Sequence, residues 1–139
     1  MRIYLTHCSF HKDDSLKGTG KLVVPEQLYT SEVLQRFVKR CKAKKVQWAI
    51  FSDLYGVWFP TEKHGWYEKS PSTVTQKEFN TLMNDFDTKL AKYNEVFFYY
   101  NPGRYHPLYA RLLKSSKLAP RIKEITHLHE IEGGFIDVG

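Results

Sequence analysis

Ser52 and Asp53 are the two neighbouring residues of this chain best placed to do chemistry. They directly follow residues 46–51, VQWAIF, which have the length and β-favouring composition of a buried strand. A carboxylate at a strand end can act as a general base or accept a hydrogen bond from a ligand, which Ser52 would help to orient. The alternative is that Asp53 caps the following turn. Gly56 indicates a backbone with positive φ or a close approach to the ligand.

Two further predicted strands, residues 2–6 and 95–100, are also followed by polar side chains. In an open parallel sheet, ligands bind outside the carboxyl ends of the strands. We therefore predict one crevice at this edge of the sheet, with Asp53 and Ser52 as its catalytic residues. The predicted ligand-binding residues from these strand ends and from the loop after Asp53 are His7, Cys8, Tyr55, Gly56, Tyr67, Asn101 and Arg104.

Cys8 allows two other kinds of chemistry. Its neighbours His7 and His11 could lower the pKa of the thiol and make it a nucleophile, although a lone cysteine at a strand end can equally be structural. The same three side chains, together with His127 and His129, are candidate zinc ligands. The chain has no CxxC pair. We predict no metal ion and no cofactor.

Length and composition favour a single domain over residues 1–139. Hydrophobic residues make up 42% of the chain, which argues against a disordered protein. Cys8 and Cys41 fit no disulfide framework, so we predict reduced thiols in a cytoplasmic protein. The sequence shows no signal peptide, and no apolar run approaches the roughly 18 residues of a membrane span, so we expect no membrane partner.

Strand-like and helix-like segments alternate along the chain. Helices are predicted to begin near Ser31, at a capping box formed by Thr75 and Glu78, and near Pro107. This alternation predicts a three-layer α/β/α fold with a four-stranded, mainly parallel sheet, for which we choose the strand order 2-1-3-4. The aromatic segment 52–72 is predicted to be a loop that covers the crevice. The four strands are predicted at 2–6, 46–51, 95–100 and 122–128, with a loose tail from 133.

A run of basic residues closes the first long predicted helix and supplies much of the net charge of +6. Cations stabilise the C-terminal end of a helix, and this effect alone explains the cluster. The alternative is a contact with nucleic acid, whose affinity would fall steeply with salt. The candidate nucleic-acid-binding residues are Lys39, Arg40, Lys42, Lys44 and Lys45.

Two segments in the first half of the chain carry a family resemblance. Residues 27–31 read QLYTS, and residues 48–60 read WAIFSDLYGVWFP, with Tyr67 further on. Over about residues 3–68, this pattern is similar to small proteins related to the YaaA peroxide-stress family. It also resembles the lyase-like core domain of archaeosine synthase, which has a uracil-DNA-glycosylase-like fold with sheet order 2-1-3-4.

The resemblance implies a ligand that is a nucleobase or a nucleic acid. The YaaA relatives are associated with DNA binding, and the archaeosine relative acts on a modified base in tRNA. The matched positions add Tyr29 and Ser31 to the ligand-binding residues. The chain departs from the pattern at Asp53, where relatives have Ala or Lys, and after Cys8, where they carry several Lys residues and this chain has only Lys12.

Three functional hypotheses follow. The first is an enzyme-like domain that binds or modifies a nucleobase or nucleotide in the crevice, with Tyr55 or Tyr67 stacked on the base. The second is a non-catalytic module that binds nucleic acid through the basic cluster. The third is a protein-interaction domain, based on an exposed aromatic segment at residues 58–67. The oligomeric state is left open.

Overall fold

Five strands form one mixed sheet in the computed structural model, which describes residues 1–133. Across the sheet their order is β3-β2-β1-β4-β5. The strands β2, β1, β4 and β5 run parallel to one another, and β3 pairs antiparallel with β2. The tail predicted from residue 133 falls almost entirely outside the described residues. The strands are β1 Arg2–His7, β2 Trp48–Ser52, β3 Gly56–Trp58, β4 Glu95–Tyr99 and β5 Ile122–Ile125.

The four predicted strands are present in the predicted order, and β3 is the strand that the sequence did not reveal. Three residues are too few to show a period-two pattern, and they fall within the predicted loop. Gly56, with a φ of 75°, lets the chain return beside β2, where Gly56 pairs with Ser52. The sheet is therefore five-stranded and mixed. The strand β5 also ends earlier than predicted, because Leu128–Glu130 forms a 3-10 turn.

Four α-helices connect the strands of the described chain. The helix α3 begins with the predicted capping box, in which the backbone N–H groups of Thr75 and Glu78 each donate to the other residue's side chain. The helix α1 is a single turn in a stretch that shows no helical pattern. The helices are α1 Pro25–Leu28, α2 Glu32–Lys44, α3 Gln76–Lys89 and α4 Pro107–Ser115.

The long helices lie against both faces of the sheet. Phe98 and Tyr99 are consecutive residues of β4, so their side chains point to opposite faces. The Phe98 ring contacts Tyr109 of α4, with ring centroids 6.5 Å apart. The Tyr99 ring stacks on Phe37 of α2 at 5.9 Å. The helices α2 and α4 therefore cover opposite faces of one buried sheet.

This topology brings several chain segments to one edge of the sheet. Because β1, β2 and β4 are parallel, their carboxyl ends meet there, and the crossover helices α2 and α4 lead away from the same region. A hydrogen bond from the Thr6 hydroxyl to the Tyr99 carbonyl, 2.8 Å, ties β1 to β4 at this edge. None of the helices within residues 1–133 is long and apolar enough to span a lipid bilayer.

Candidate ligand-binding site

A cavity of about 250 Å³ opens at the carboxyl ends of β1, β2 and β4, next to the first residues of α2 and α4. Six of the predicted site residues line it, namely His7, Cys8, Ser31, Asp53, Asn101 and Arg104. Five others, Tyr29, Ser52, Tyr55, Gly56 and Tyr67, do not line it. Lining residues that sequence reasoning did not propose as site residues include Phe10, Lys12, Lys69, His106 and Tyr109.

Asp53 is the buried carboxylate of the cavity. Its side chain is 2% exposed, and its Oδ1 has no hydrogen-bond partner among residues 1–133. Burial raises the pKa of the Asp53 carboxyl, while the nearby Cys8 thiol and Tyr67 hydroxyl act in the opposite direction. A buried acceptor that is left unpaired costs about 1–3 kcal/mol, and more if it is charged. Asp53 is therefore an acceptor to which a bound ligand could donate.

Ser52, and not Asp53, caps the turn after β2. Its Oγ accepts hydrogen bonds from the backbone N–H groups of Leu54, at 3.1 Å, and Tyr55, at 3.0 Å. The Ser52 hydroxyl donates to the Tyr67 hydroxyl at 3.1 Å. Ser52 is fully buried, so its contacts are structural. Either side chain could cap such a turn, and the sequence does not show which one does.

Tyr29 and Tyr67 form a buried pair of hydroxyl groups near Asp53. Their hydroxyl groups are 2.6 Å apart, and burial raises the pKa of both. The Tyr67 oxygen already accepts the proton of Ser52. Tyr67 lowers the pKa of Asp53, although burial raises it more. These two tyrosines are therefore buried neighbours of the site and do not line the cavity.

Cys8 is a protonated thiol at neutral pH. Burial, and next the charge of Asp53, raise the pKa of Cys8 to about 11. Its Sγ lies 3.4 Å from the backbone nitrogen of Asp53, which donates to it, and 3.3 Å from the Tyr109 hydroxyl. Nδ1 of His7 lies 2.9 Å from the Cys8 carbonyl oxygen and not against the sulfur. His7 therefore does not contact the thiol through this nitrogen, as the nucleophile alternative would require.

Two histidines present opposite hydrogen-bonding groups. Burial lowers the pKa of His7, so its ring is neutral near pH 7. Because Nδ1 of His7 donates to the Cys8 carbonyl, its Nε2 is an acceptor, and it makes no hydrogen bond within the described chain. Nδ1 of His106 accepts from the Leu108 backbone N–H at 3.0 Å, so Nε2 of His106 carries the proton. The cavity wall therefore offers one imidazole acceptor and one imidazole donor.

Cationic side chains lie near the carboxylate and at the cavity mouth. The Lys12 ammonium lies 4.5 Å from the centre of the Tyr67 ring. Lys12 and Lys69 both lower the pKa of Asp53, and Lys69 also pairs with Glu78 at 3.1 Å. Arg104 is exposed. Lys12 and Lys69 were not predicted as site residues. Lys12 falls in a polar loop, and Lys69 is far along the chain from any predicted strand end.

The aromatic residues after β2 form a cluster of their own beside the cavity. The Tyr55 hydroxyl donates to the Gly65 carbonyl at 3.0 Å, and its ring stacks on His64 at 4.0 Å. Trp58 is fully buried and Tyr67 is 6% exposed. Tyr55 and Tyr67 therefore have no free ring face in the cavity, and these rings are not an exposed interaction surface. From the segment after Asp53, residues 54–72, only Lys69 and Pro71 line the cavity.

Position 56 requires glycine because the side chain of Asp85 leaves no room for a Cβ atom. A Cβ atom at this position would lie 2.2 Å from Oδ2 of Asp85. That oxygen accepts the backbone N–H of Val57 at 2.7 Å. Gly56 therefore shapes the β2–β3 turn and does not line the cavity. Asn101 does line the cavity, and its Oδ1 caps a short 3-10 turn by accepting the Gly103 N–H at 3.0 Å.

The basic cluster lies at the far end of α2. This helix has 13 residues, so its C-terminus is about 20 Å from the cavity. Lys42 pairs with Glu26 at 2.6 Å, and Lys44 and Arg40 each lie 3.6 Å from Glu132. Lys45 is the helix C-cap in a left-handed conformation, and Lys39 is exposed. Acidic neighbours thus offset part of the charge of this cluster.

Comparison with known proteins gives no match. No family model, no curated protein and no solved structure is similar to this chain. Within residues 1–133, no group of three or more His, Cys, Asp and Glu side chains is arranged to hold a metal ion. The family resemblance stays a prediction.

Proposed function

We propose that this protein binds a nucleobase, free or as part of a nucleoside or nucleotide, in the cavity at the strand ends. Asp53 accepts a hydrogen bond from a ring N–H or an exocyclic amino group of the base. The observation that carries the proposal is the unpaired Oδ1 of Asp53, which is buried in a residue that lines the cavity. Because Ser52 caps the turn, no local N–H group uses this oxygen.

The other groups of the cavity fit the edges and faces of a base. Asp53 and Nε2 of His7 are acceptors, Nε2 of His106 is a donor, and nucleobases carry both kinds of group along one edge. The rings of Phe10 and Tyr109 supply apolar surface. At about 250 Å³, the cavity is smaller than the roughly 300–1,000 Å³ typical of sites for drug-sized ligands. A flat, polar-edged molecule of this size suits it better than a lipid.

A carboxyl with a raised pKa also suits proton exchange with a bound base. Burial raises the pKa of Asp53 above its ordinary value, and a raised pKa makes a carboxyl more effective as a general acid or base near neutral pH. Asp53 would then serve as the acid–base residue of a reaction on the base. Cys8, with a pKa of about 11, would remain a thiol that holds the ends of β1 and β2 together.

The proposal is tested by a ligand screen on matched variants. Nucleobases, nucleosides and nucleotides are added at millimolar concentration in a thermal-shift assay, and hits are measured by calorimetry. Asp53→Asn is expected to weaken every hit that donates to Asp53. Asp14→Asn is the control, because Asp14 is exposed and outside the cavity. If none of these compounds stabilises the protein, the proposed function is wrong.

A further inference from the structure

We infer that the ligand is a nucleoside monophosphate, whose phosphate binds at the cavity mouth between the first turn of α2 and the side chains of Lys12 and Arg104. The inference rests on the proposed function, because the unpaired carboxylate oxygen of Asp53 supplies the evidence that the cavity receives a ligand at all. The further inference identifies the group at the other end of that ligand as an anionic phosphate.

The first turn of α2 has unused backbone donors at the cavity. Ser31 is the N-cap residue, yet its side chain makes no capping hydrogen bond. The starts of α3 and α4 are capped, by Thr75 and His106 respectively. Ser31, Val33 and Leu34 line the cavity, so the N-terminus of α2 opens toward it. An uncapped N-terminus of a 13-residue helix offers N–H groups and a positive dipole end to an anion.

Lys12 is held next to this helix start by the backbone. Residue 12 forms an isolated antiparallel bridge with Tyr29, and the Thr30 N–H donates to the His11 carbonyl at 3.0 Å. The chain that leads into α2 therefore runs beside Lys12. Within residues 1–133, Lys12 has no ion pair closer than 4 Å, and it lies against aromatic rings. A phosphate would give its ammonium group a close anionic partner.

Arg104 approaches the mouth from the end of β4. It is exposed, it lines the cavity, and it makes no side-chain hydrogen bond or ion pair with the described residues. A free guanidinium is suited to bidentate contact with a phosphate. The cavity lining thus includes an acceptor for the base on Asp53 and cationic donors for an anion on Lys12 and Arg104. A nucleotide has both complementary groups in one molecule.

The size of the cavity and the place of the charges favour a mononucleotide over a strand of nucleic acid. The basic cluster of residues 39–45 lies about 10–20 Å along α2 from the N-terminus of this helix, and it is partly paired with Glu26 and Glu132. A longer strand would need further cations along its path from the cavity. The cations that line the cavity are Lys12, Lys69 and Arg104, and Lys69 is already paired with Glu78.

The experiment compares each nucleoside with its 5′-monophosphate and with a short single-stranded oligonucleotide, by calorimetry at low and moderate salt. We expect one monophosphate to bind at least about tenfold more tightly than its nucleoside, because charge-assisted hydrogen bonds are added. Lys12→Gln should reduce this ratio toward one, whereas Lys77→Gln, at an exposed lysine outside the cavity, should leave the ratio as in the wild type. Added salt should reduce the ratio in the wild-type protein.

The outcomes separate the two proposals. Nucleoside binding that depends on Asp53 but gains nothing from the phosphate would overturn this inference and leave the proposed function standing. Tighter binding of the oligonucleotide than of any monophosphate would replace the mononucleotide with a strand. Absence of binding by nucleosides, monophosphates and nucleobases would remove the proposed function itself.

Discussion

The backbone N–H of Asp53 points at the sulfur of Cys8, with 3.4 Å between nitrogen and Sγ. This contact joins the ends of β2 and β1 directly beneath the cavity. It uses the amide of Asp53, while Oδ1 of the same residue has no hydrogen-bond partner within residues 1–133. The fold therefore fixes the backbone of Asp53 by local and cross-strand contacts, while one carboxylate oxygen remains for a ligand.

Ser52 is expected to matter for stability and Asp53 for binding. Ser52→Ala removes an acceptor for two backbone N–H groups and a donor to Tyr67, in a fully buried position. We predict a loss of about 2–4 kcal/mol in the free energy of unfolding, measured with urea. Asp53→Asn should unfold at the same or a higher urea concentration than the wild type. Equal, large losses for both variants would mean that Asp53 is structural.

The raised pKa of Asp53 gives a pH signature. Between its ordinary pKa of 3.8 and the higher folded-state value, the folded protein binds more protons at this residue than the unfolded chain does. Stability contributed by this residue is therefore complete below pH 3.8 and is lost as the pH rises through the folded-state pKa. The stability of Asp53→Asn relative to wild type should rise across this window and then level off. A pH-independent difference in urea denaturation would contradict the assignment.

Cys8 is predicted to be unreactive at neutral pH. With a pKa of about 11, compared with an ordinary value of 9.0, very little thiolate exists at pH 8, and burial limits access as well. Alkylation of Cys8 by iodoacetamide, followed by mass spectrometry of peptides, should be slow in the folded protein and fast in urea. Cys8→Ser should retain ligand binding. Rapid alkylation below pH 8 would revive the nucleophile alternative.

Phe10 is predicted to stack on the bound base. It lines the cavity although its side chain is 76% exposed, so its ring has a free face at the mouth. Phe10→Ala should weaken binding about tenfold, since stacking contributes roughly 1–3 kcal/mol per base, and should leave stability nearly unchanged. Leu22→Ala is the control, because Leu22 is 63% exposed and outside the cavity. Equal affinity for both variants would exclude Phe10 from the site.

The basic cluster is predicted to be dispensable for ligand binding. Lys42 and Lys44 are paired with Glu26 and Glu132, and the cluster is far from the cavity. Simultaneous change of Lys42, Lys44 and Lys45 to Glu should leave nucleotide affinity within about twofold of wild type, because charges beyond the Debye length of about 10 Å are screened. Loss of DNA or RNA affinity in this variant would instead support a separate nucleic-acid-binding surface.

The sequence was sufficient to predict those strands and helices that have a regular pattern of apolar residues. Apolar runs and helical periodicity located β1, β2, β4 and the three long helices, and chain alternation with right-handed crossovers led to the strand order. The convergence of His7, Asp53 and Asn101 follows from that order, because parallel strands end at one edge.

The remaining features depend on contacts between distant residues. Ser52 caps the turn and also donates to Tyr67, which lies 15 residues further along the chain. Tyr55 faces His64 rather than a ligand because Gly56 turns β3 back along β2. Lys12 reaches the cavity through pairing with Tyr29. No local pattern encodes these three arrangements.

The most direct test of the central claim is a four-way calorimetric comparison. The best-binding nucleobase and its derivative methylated at the donor nitrogen are each titrated into wild type and Asp53→Asn. If Asp53 accepts that N–H, methylation should weaken binding to wild type at least about tenfold. The loss on methylation should be smaller in the variant, because its amide oxygen is an uncharged and weaker acceptor. Equal loss on methylation in both proteins, or full affinity of Asp53→Asn for the unmethylated base, would contradict the account.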